Sequence, residues 1–145
     1  MPRKRQPVSE SSLGVASRCR QFRMAPALSC LRDTRCFVDE VARDAGLSDA
    51  RSYDLKVAVC EAAANAVEHA GGLEQPVEIC ARLHADRLQI EVVGRGEFVV
   101  RADPETERVH RGHGLALMVA LCDEVCIRRR GDGGTSVTLT MFFSR

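Results

Sequence analysis

The chain has 145 residues, enough for one domain with a real core. Its hydrophobic fraction of 45% and charged fraction of 28% are those of an ordinary globular protein. A formal charge of +1, no Trp and a single Tyr exclude a strong electrostatic field and a base-stacking surface, so no direct nucleic-acid partner is expected.

No apolar run approaches the roughly 18 residues of a membrane span, so no membrane partner is expected. No apolar stretch follows the basic Met1–Arg5, so the expected compartment is the cytoplasm. Seven cysteines (Cys19, Cys30, Cys36, Cys60, Cys80, Cys122 and Cys126) make an odd number, most of them among apolar residues. Cys122 and Cys126 have a metal-like spacing. No second close pair faces them in sequence, so the seven read as small reduced core residues rather than a zinc site.

Residues 1–18 are basic and then Ser-rich without periodicity, which predicts a loosely attached arm; residues 19–145 form the domain. A short strand is expected over Arg20–Met24. Ala27–Ala45 has helical periodicity, with Leu28, Leu31, Phe37, Val38 and Val41 between charges, and Gly46 stops it. Leu47–Ser52 is a short connection to the helix on which the chain turns, read from Asp54 to His69. Ser48 or Asp49 can cap its start, and Gly71-Gly72 end it.

The period then changes to two. Val77, Ile79, Ala81 and Leu83 form one strand and Leu88, Ile90 and Val92 the next, with Ala85-Asp86 as the turn of a hairpin. Gly94-Arg95-Gly96 breaks the pattern. Glu97–Arg111 is polar and contains a proline, the longest expected loop. Gly112-His113-Gly114-Leu115 opens a helix to Leu121. Glu124–Arg130 and Thr135–Phe143 are strands joined by Asp132-Gly133-Gly134. Strands joined by short turns predict an α+β two-layer sandwich, a mostly antiparallel sheet with its helices on one face. The expected buried set includes Leu55, Val59, Ala62, Ala66, Ile90, Val92, Leu117, Leu121, Val137 and Leu139.

Within the central helix, Glu61, Asn65 and His69 stand four residues apart and line one face of an otherwise apolar cylinder. Polar groups on a buried wall need partners, from the protein or from a ligand. A merely wet helix face explains the spacing equally well. Gly112-His113-Gly114 lets backbone approach a polyanion at a helix start, and an ordinary loop-to-helix turn fits it as well. Gly133-Gly134-Thr135 suits both a pocket wall and a hairpin turn. His69 and His113 receive no catalytic role.

Taken together, Glu61-Ala62-Ala63-Ala64-Asn65-Ala66 with His69-Ala70, Gly112-His113-Gly114-Leu115-Ala116-Leu117-Met118 with Leu121-Cys122-Asp123-Glu124-Val125, and Gly133-Gly134-Thr135 resemble the GHKL ATPases. The nearest branch is that of the serine kinases that act as bacterial anti-sigma factors, and the likeness runs from about Met24 to Phe142. It implies a histidine-kinase-like ATPase fold that binds ATP and Mg²⁺, with Glu61 as the catalytic base and Asn65 as the metal ligand. Asn65, Gly94, Gly96, Gly112, His113, Gly114, Leu115 and Thr135 would contact the nucleotide. It also implies a sigma factor as sequestered partner, a STAS-type anti-anti-sigma protein as phosphorylated substrate, and a homodimer.

One position departs from the family pattern. The glycine box normally reads D-x-G-x-G, and its Asp hydrogen-bonds the adenine amino group; here Gly94 stands in its place and the last glycine is missing. Glu91 falls on the opposite strand face, and Asp103 in the loop is a stand-in without support. ATP binding of micromolar or weaker affinity, poorly discriminated from GTP, follows. Three readings result: an active kinase, a binding module of the same fold without activity, and the ATPase part of a sensor kinase. Against the third, no histidine-bearing dimerisation helix is found in the sequence.

Overall fold

A computed structural model describes residues 18–69, 75–95 and 114–143. The expected arm, apart from Arg18, lies outside these residues, as do Gly71-Gly72 and the loop after Arg95.

Strand β1 (Arg18–Met24) is followed by a 3-10 turn at Leu28–Cys30 and helices α1 (Leu31–Ala45) and α2 (Asp49–Glu68). The hairpin β2 (Val77–Leu83) and β3 (Arg87–Gly94) comes next, then α3 (Gly114–Leu121), β4 (Glu124–Arg129) and β5 (Thr135–Phe142). The five strands pair in the order β1-β2-β3-β5-β4, every neighbouring pair antiparallel. The helices cover one face, so the chain is the α+β two-layer sandwich that the periodicities predict.

The core is the interdigitated set of both layers. Alternate strand residues Val77, Ile79, Leu88, Ile90, Val92, Val137, Leu139 and Met141 meet Leu55, Ala58, Val59, Ala62 and Ala63 of α2 and Val38 and Val41 of α1. Leu117 does not belong to it. At 37% exposed it faces outward, because α3 packs one side on α2 and Met118, a third of a turn away, takes the inner position. Ala66 and Leu121 are only half-buried. The cysteines also depart from expectation: Cys122 alone is buried, and Cys19, Cys36 and Cys126 are exposed.

Helix α1 ends where Gly46 takes a left-handed φ of 80°, its amide donating to the Arg43 carbonyl at 3.0 Å. A left-handed residue at this place favours glycine. Helix α2 begins five residues earlier than its apolar pattern announces. The Ser48 hydroxyl caps it by accepting from the Arg51 amide at 3.2 Å, and the first turn through Tyr53 is mostly polar, with Asp49, Ala50 and Tyr53 exposed and Arg51 and Ser52 half-buried. The start of α2 is clamped to the far layer. Asp123 accepts from the Arg51 guanidinium at 2.9 Å and from the Phe142 amide at 2.6 Å, and Arg51 also donates to the Phe142 carbonyl.

Candidate functional site

The site is built from the C-terminal half of α2, the first residues of α3, and the adjoining ends of β3 and β5. Ala, Val and Cys keep α2 apolar on nearly all sides, which lets it lie flat on the sheet. Glu61 and Asn65 consequently stand on its wall rather than in open water. Asn65 is 6% exposed. Its backbone carbonyl accepts from the His69 amide, which makes His69 the helix cap. Among the described residues its side-chain amide finds no hydrogen-bond partner. A buried side-chain amide calls for a hydrogen-bond partner, from the protein or from a ligand.

Helix α3 brings its first residue to this wall. A Cβ placed on Gly114 would stand 2.8 Å from a Glu61 carboxylate oxygen and 3.3 Å from the Asn65 side-chain nitrogen. Glycine here lets the α3 backbone approach both groups without either side chain having to shift. Gly114 is buried and Leu115 half-buried beside it. Two sequence motifs separated by about a third of the chain thus meet: a carboxylate, a buried amide and the amide-bearing start of a helix.

The third motif lies at the end of the sheet. Gly94 of β3 pairs with Thr135 of β5, and Thr135 is buried. Gly94 points inward with Ile90 and Val92, towards α2, where a Cβ would stand 2.8 Å from Ala66 Cβ. Any side chain on Gly134 would run into the Gly94 carbonyl oxygen. Arg95 then reaches Asp132 in the β4–β5 turn at 2.9 Å, and Asp132 also accepts from the Gly134 amide at 3.1 Å. That amide holds the Asp132 carboxyl below its usual range, with Arg130 and Arg95 adding to the effect.

Glu91 stays out of the site. It lies on the uncovered sheet face, where it accepts from Ser136 Oγ at 2.5 Å and from Arg82 at 2.9 Å. Burial opposes its charge, but these two donors leave its carboxyl below the usual range. Of the expected site residues, Glu61, the expected base, gathers with Asn65, Gly114 and Leu115 at one end, and Gly94 and Thr135 lie at the other. Gly96, Gly112 and His113 lie outside the described residues, as does Asp103. Sequence reasoning placed Ala66 in the motif and the core but missed its contact with Gly94, whose inner side its methyl faces. The signal for it was an alanine directly after Asn65 facing a glycine where a carboxylate was expected.

A family profile described as the histidine kinase-like ATPase domain matches residues 24–141, nearly the whole described fold. The chain belongs to this family. Among curated proteins, this histidine kinase-like ATPase domain is similar to a serine-protein kinase RsbW of Bacillus licheniformis, 33% identical over 125 residues that make up 77% of each chain. It is also similar to a serine-protein kinase RsbW of Listeria innocua, at 32% identity over 76% of this chain and 78% of the relative. Among solved structures, the RsbU and RsbW domains of Rv1364c from Mycobacterium tuberculosis superpose with a TM-score of 0.67 at 25% identity. That match covers 86% of this chain and 32% of the mycobacterial one. The ATPase family relationship supports a capacity to bind ATP.

Proposed function

We propose that this protein is an ATP-dependent anti-sigma factor kinase: it sequesters a sigma factor and phosphorylates a serine or threonine of a STAS-type antagonist. The observation that carries this reading is the buried side chain of Asn65 beside Glu61 and the start of α3. An amide oxygen next to a carboxylate is a hard-oxygen donor set, which suits Mg²⁺, an ion that shares its shell with phosphates and water. The relatives named as serine-protein kinases support the same assignment.

In this reading Asn65 holds the metal, and the Gly114 and Leu115 amides face the phosphates with the positive end of α3 behind them. Magnesium–ATP supplies the transferable phosphoryl group. Glu61 accepts the proton of the attacking hydroxyl and orients that hydroxyl for in-line attack.

The test begins with an affinity pull-down of the partners and labelled ATP. Glu61→Gln is expected to retain the captured partner while phosphate transfer falls by about 10²–10⁴, the size of one acid–base contribution. Asn65→Ala should weaken Mg²⁺-dependent nucleotide binding in calorimetry. Unchanged transfer by Glu61→Gln would remove Glu61 from the chemistry. A second reading, a docking module without kinase activity, is favoured by the packing of Ala66 on Gly94. It predicts partner capture with no heat of nucleotide binding.

A further inference from the structure

The uncovered face of the sheet carries a pair of thiols that the nucleotide site does not use. In the β1–β2 register Cys19 lies opposite Arg82 and Cys80 opposite Gln21. The two cysteines are therefore diagonal neighbours on one face, the one opposite to buried Val77, Ile79 and Ala81. Their sulfur atoms are 3.0 Å apart. No other two thiols touch among the described residues. Cys19 is exposed and Cys80 half-buried. Cys80 lines a hollow of about 390 Å³ together with Gln21, Arg23, Arg82 and Glu91, open enough for a small oxidant. The Arg82 guanidinium, fixed by Glu91 at 2.9 Å, exerts its positive charge on both sulfurs.

We propose that Cys19 and Cys80 are a modification site: a hydroperoxide converts them into a reversible disulfide that staples edge strand β1 to β2. Roles divide by environment. Burial, and then the hydrogen bond with Cys19, push the Cys80 thiol up to about 11, so Cys80 keeps its proton. Exposed Cys19, with the Arg82 cation opposite, is the sulfur that attacks. Its thiolate forms an S–O bond as the peroxide O–O bond breaks. The products are a sulfenic acid and a hydroxide that leaves as water with the thiol's proton. Cys80 sulfur then attacks Cys19 sulfur; the S–S bond forms, the S–O bond breaks, and a second water leaves with the Cys80 proton. Two thiols lose two electrons and two protons, and one hydrogen peroxide becomes two waters. Because β1 is paired on one side only, it can give the small shift that bond closure needs.

The test uses the full chain, freshly reduced, exposed to hydrogen peroxide and then blocked with N-ethylmaleimide. Arg18 and Arg20 flank Cys19, so a protease other than trypsin is needed before non-reducing mass spectrometry. The expected result is joint loss of the Cys19 and Cys80 thiols, a linked peptide containing both, and return of both thiols with dithiothreitol. Cys19→Ser should leave Cys80 fully blockable after peroxide. Cys80→Ser should leave a sulfenic acid on Cys19 that dimedone traps. The link also closes a loop through both long helices, so the oxidised chain should melt at a higher temperature than the reduced one. Cys19→Ser should show no such difference. Peroxide that leaves both thiols intact, joins other cysteines instead, or drives Cys19 to sulfinic acid without a linked peptide would overturn the proposal.

Discussion

At the scale of single residues, Gly94 packs on Ala66 where β3 ends. In the proposed function this is the position of an adenine-reading carboxylate, and lacking it is expected to cost a charge-assisted hydrogen bond of about 1.5–3 kcal/mol, or one to two decades of affinity. Simply restoring Asp at 94 meets an obstacle that the sequence does not show: its Cβ would press on Ala66 Cβ at 2.8 Å and on Ala66 Cα at 3.3 Å. Gly94→Ala is therefore expected to destabilise the fold by about 1–3 kcal/mol through overpacking. Ala66→Gly alone should cost about 1 kcal/mol of helix propensity. The double variant should be more stable than the sum of the two, a positive coupling that urea midpoints of the four proteins would reveal. Strict additivity would mean that α2 yields freely at this point. In the Ala66→Gly background, Gly94→Asp is expected to raise ATP affinity more than GTP affinity by calorimetry.

At the scale of elements, α2 is held at its start by polar contacts that its hydrophobic stripe does not advertise. Ser48 caps it, and Arg51 crosses to Asp123 in the α3–β4 turn, whose carboxylate also receives the Phe142 amide of β5. The Asp123 side chain is only 9% exposed, and its loss takes one acceptor from the Arg51 guanidinium, which keeps the Phe142 carbonyl, and leaves the Phe142 amide without this acceptor. Asp123→Ala is expected to lower unfolding free energy by roughly 2–4 kcal/mol, towards the value for breaking a buried pair. Ser48→Ala should cost only about 1 kcal/mol, the usual worth of a cap. Denaturant midpoints check both, and an Asp123 effect no larger than that of Ser48 would show that the clamp is weak. This clamp also explains why the boundary of α2 was misjudged. Its first turn has no apolar period to read, and its anchor is far away in sequence.

For the whole molecule, the open sheet face adds an acid sensitivity. Glu91 titrates below the ordinary carboxylate range because Ser136 and Arg82 bond its charged form despite the cost of burial. A carboxyl whose folded pKa is depressed contributes stability that is complete above its unfolded pKa and lost as pH falls through the folded one. Stability should thus decline below the usual carboxylate range, around pH 4 and lower, and Glu91→Gln should flatten that limb in urea titrations. The layered fold itself was legible because Val77 to Leu83 and Leu88 to Val92 alternate cleanly and the helices between glycines do not. The pairing of Glu61 with Asn65 was legible from helical spacing. What the sequence withheld were contacts that depend on three-dimensional proximity: Ala66 against Gly94, Gly114 against Glu61, and Asp123 against Arg51. Leu117 was misplaced for a related reason. A short helix that is apolar all round gives no period from which to tell its inner side.

The strand order has a consequence in time. The β2–β3 and β4–β5 hairpins join neighbours in sequence, whereas β1 meets β2 only after the chain has travelled through α1 and α2. Closing that large loop is entropically expensive and gains the pairing of one edge strand, so β1 should dock last in folding and open first from the native state. Its amides between Arg18 and Met24 should exchange with deuterium ahead of those in β3 and β5, which are paired on both sides.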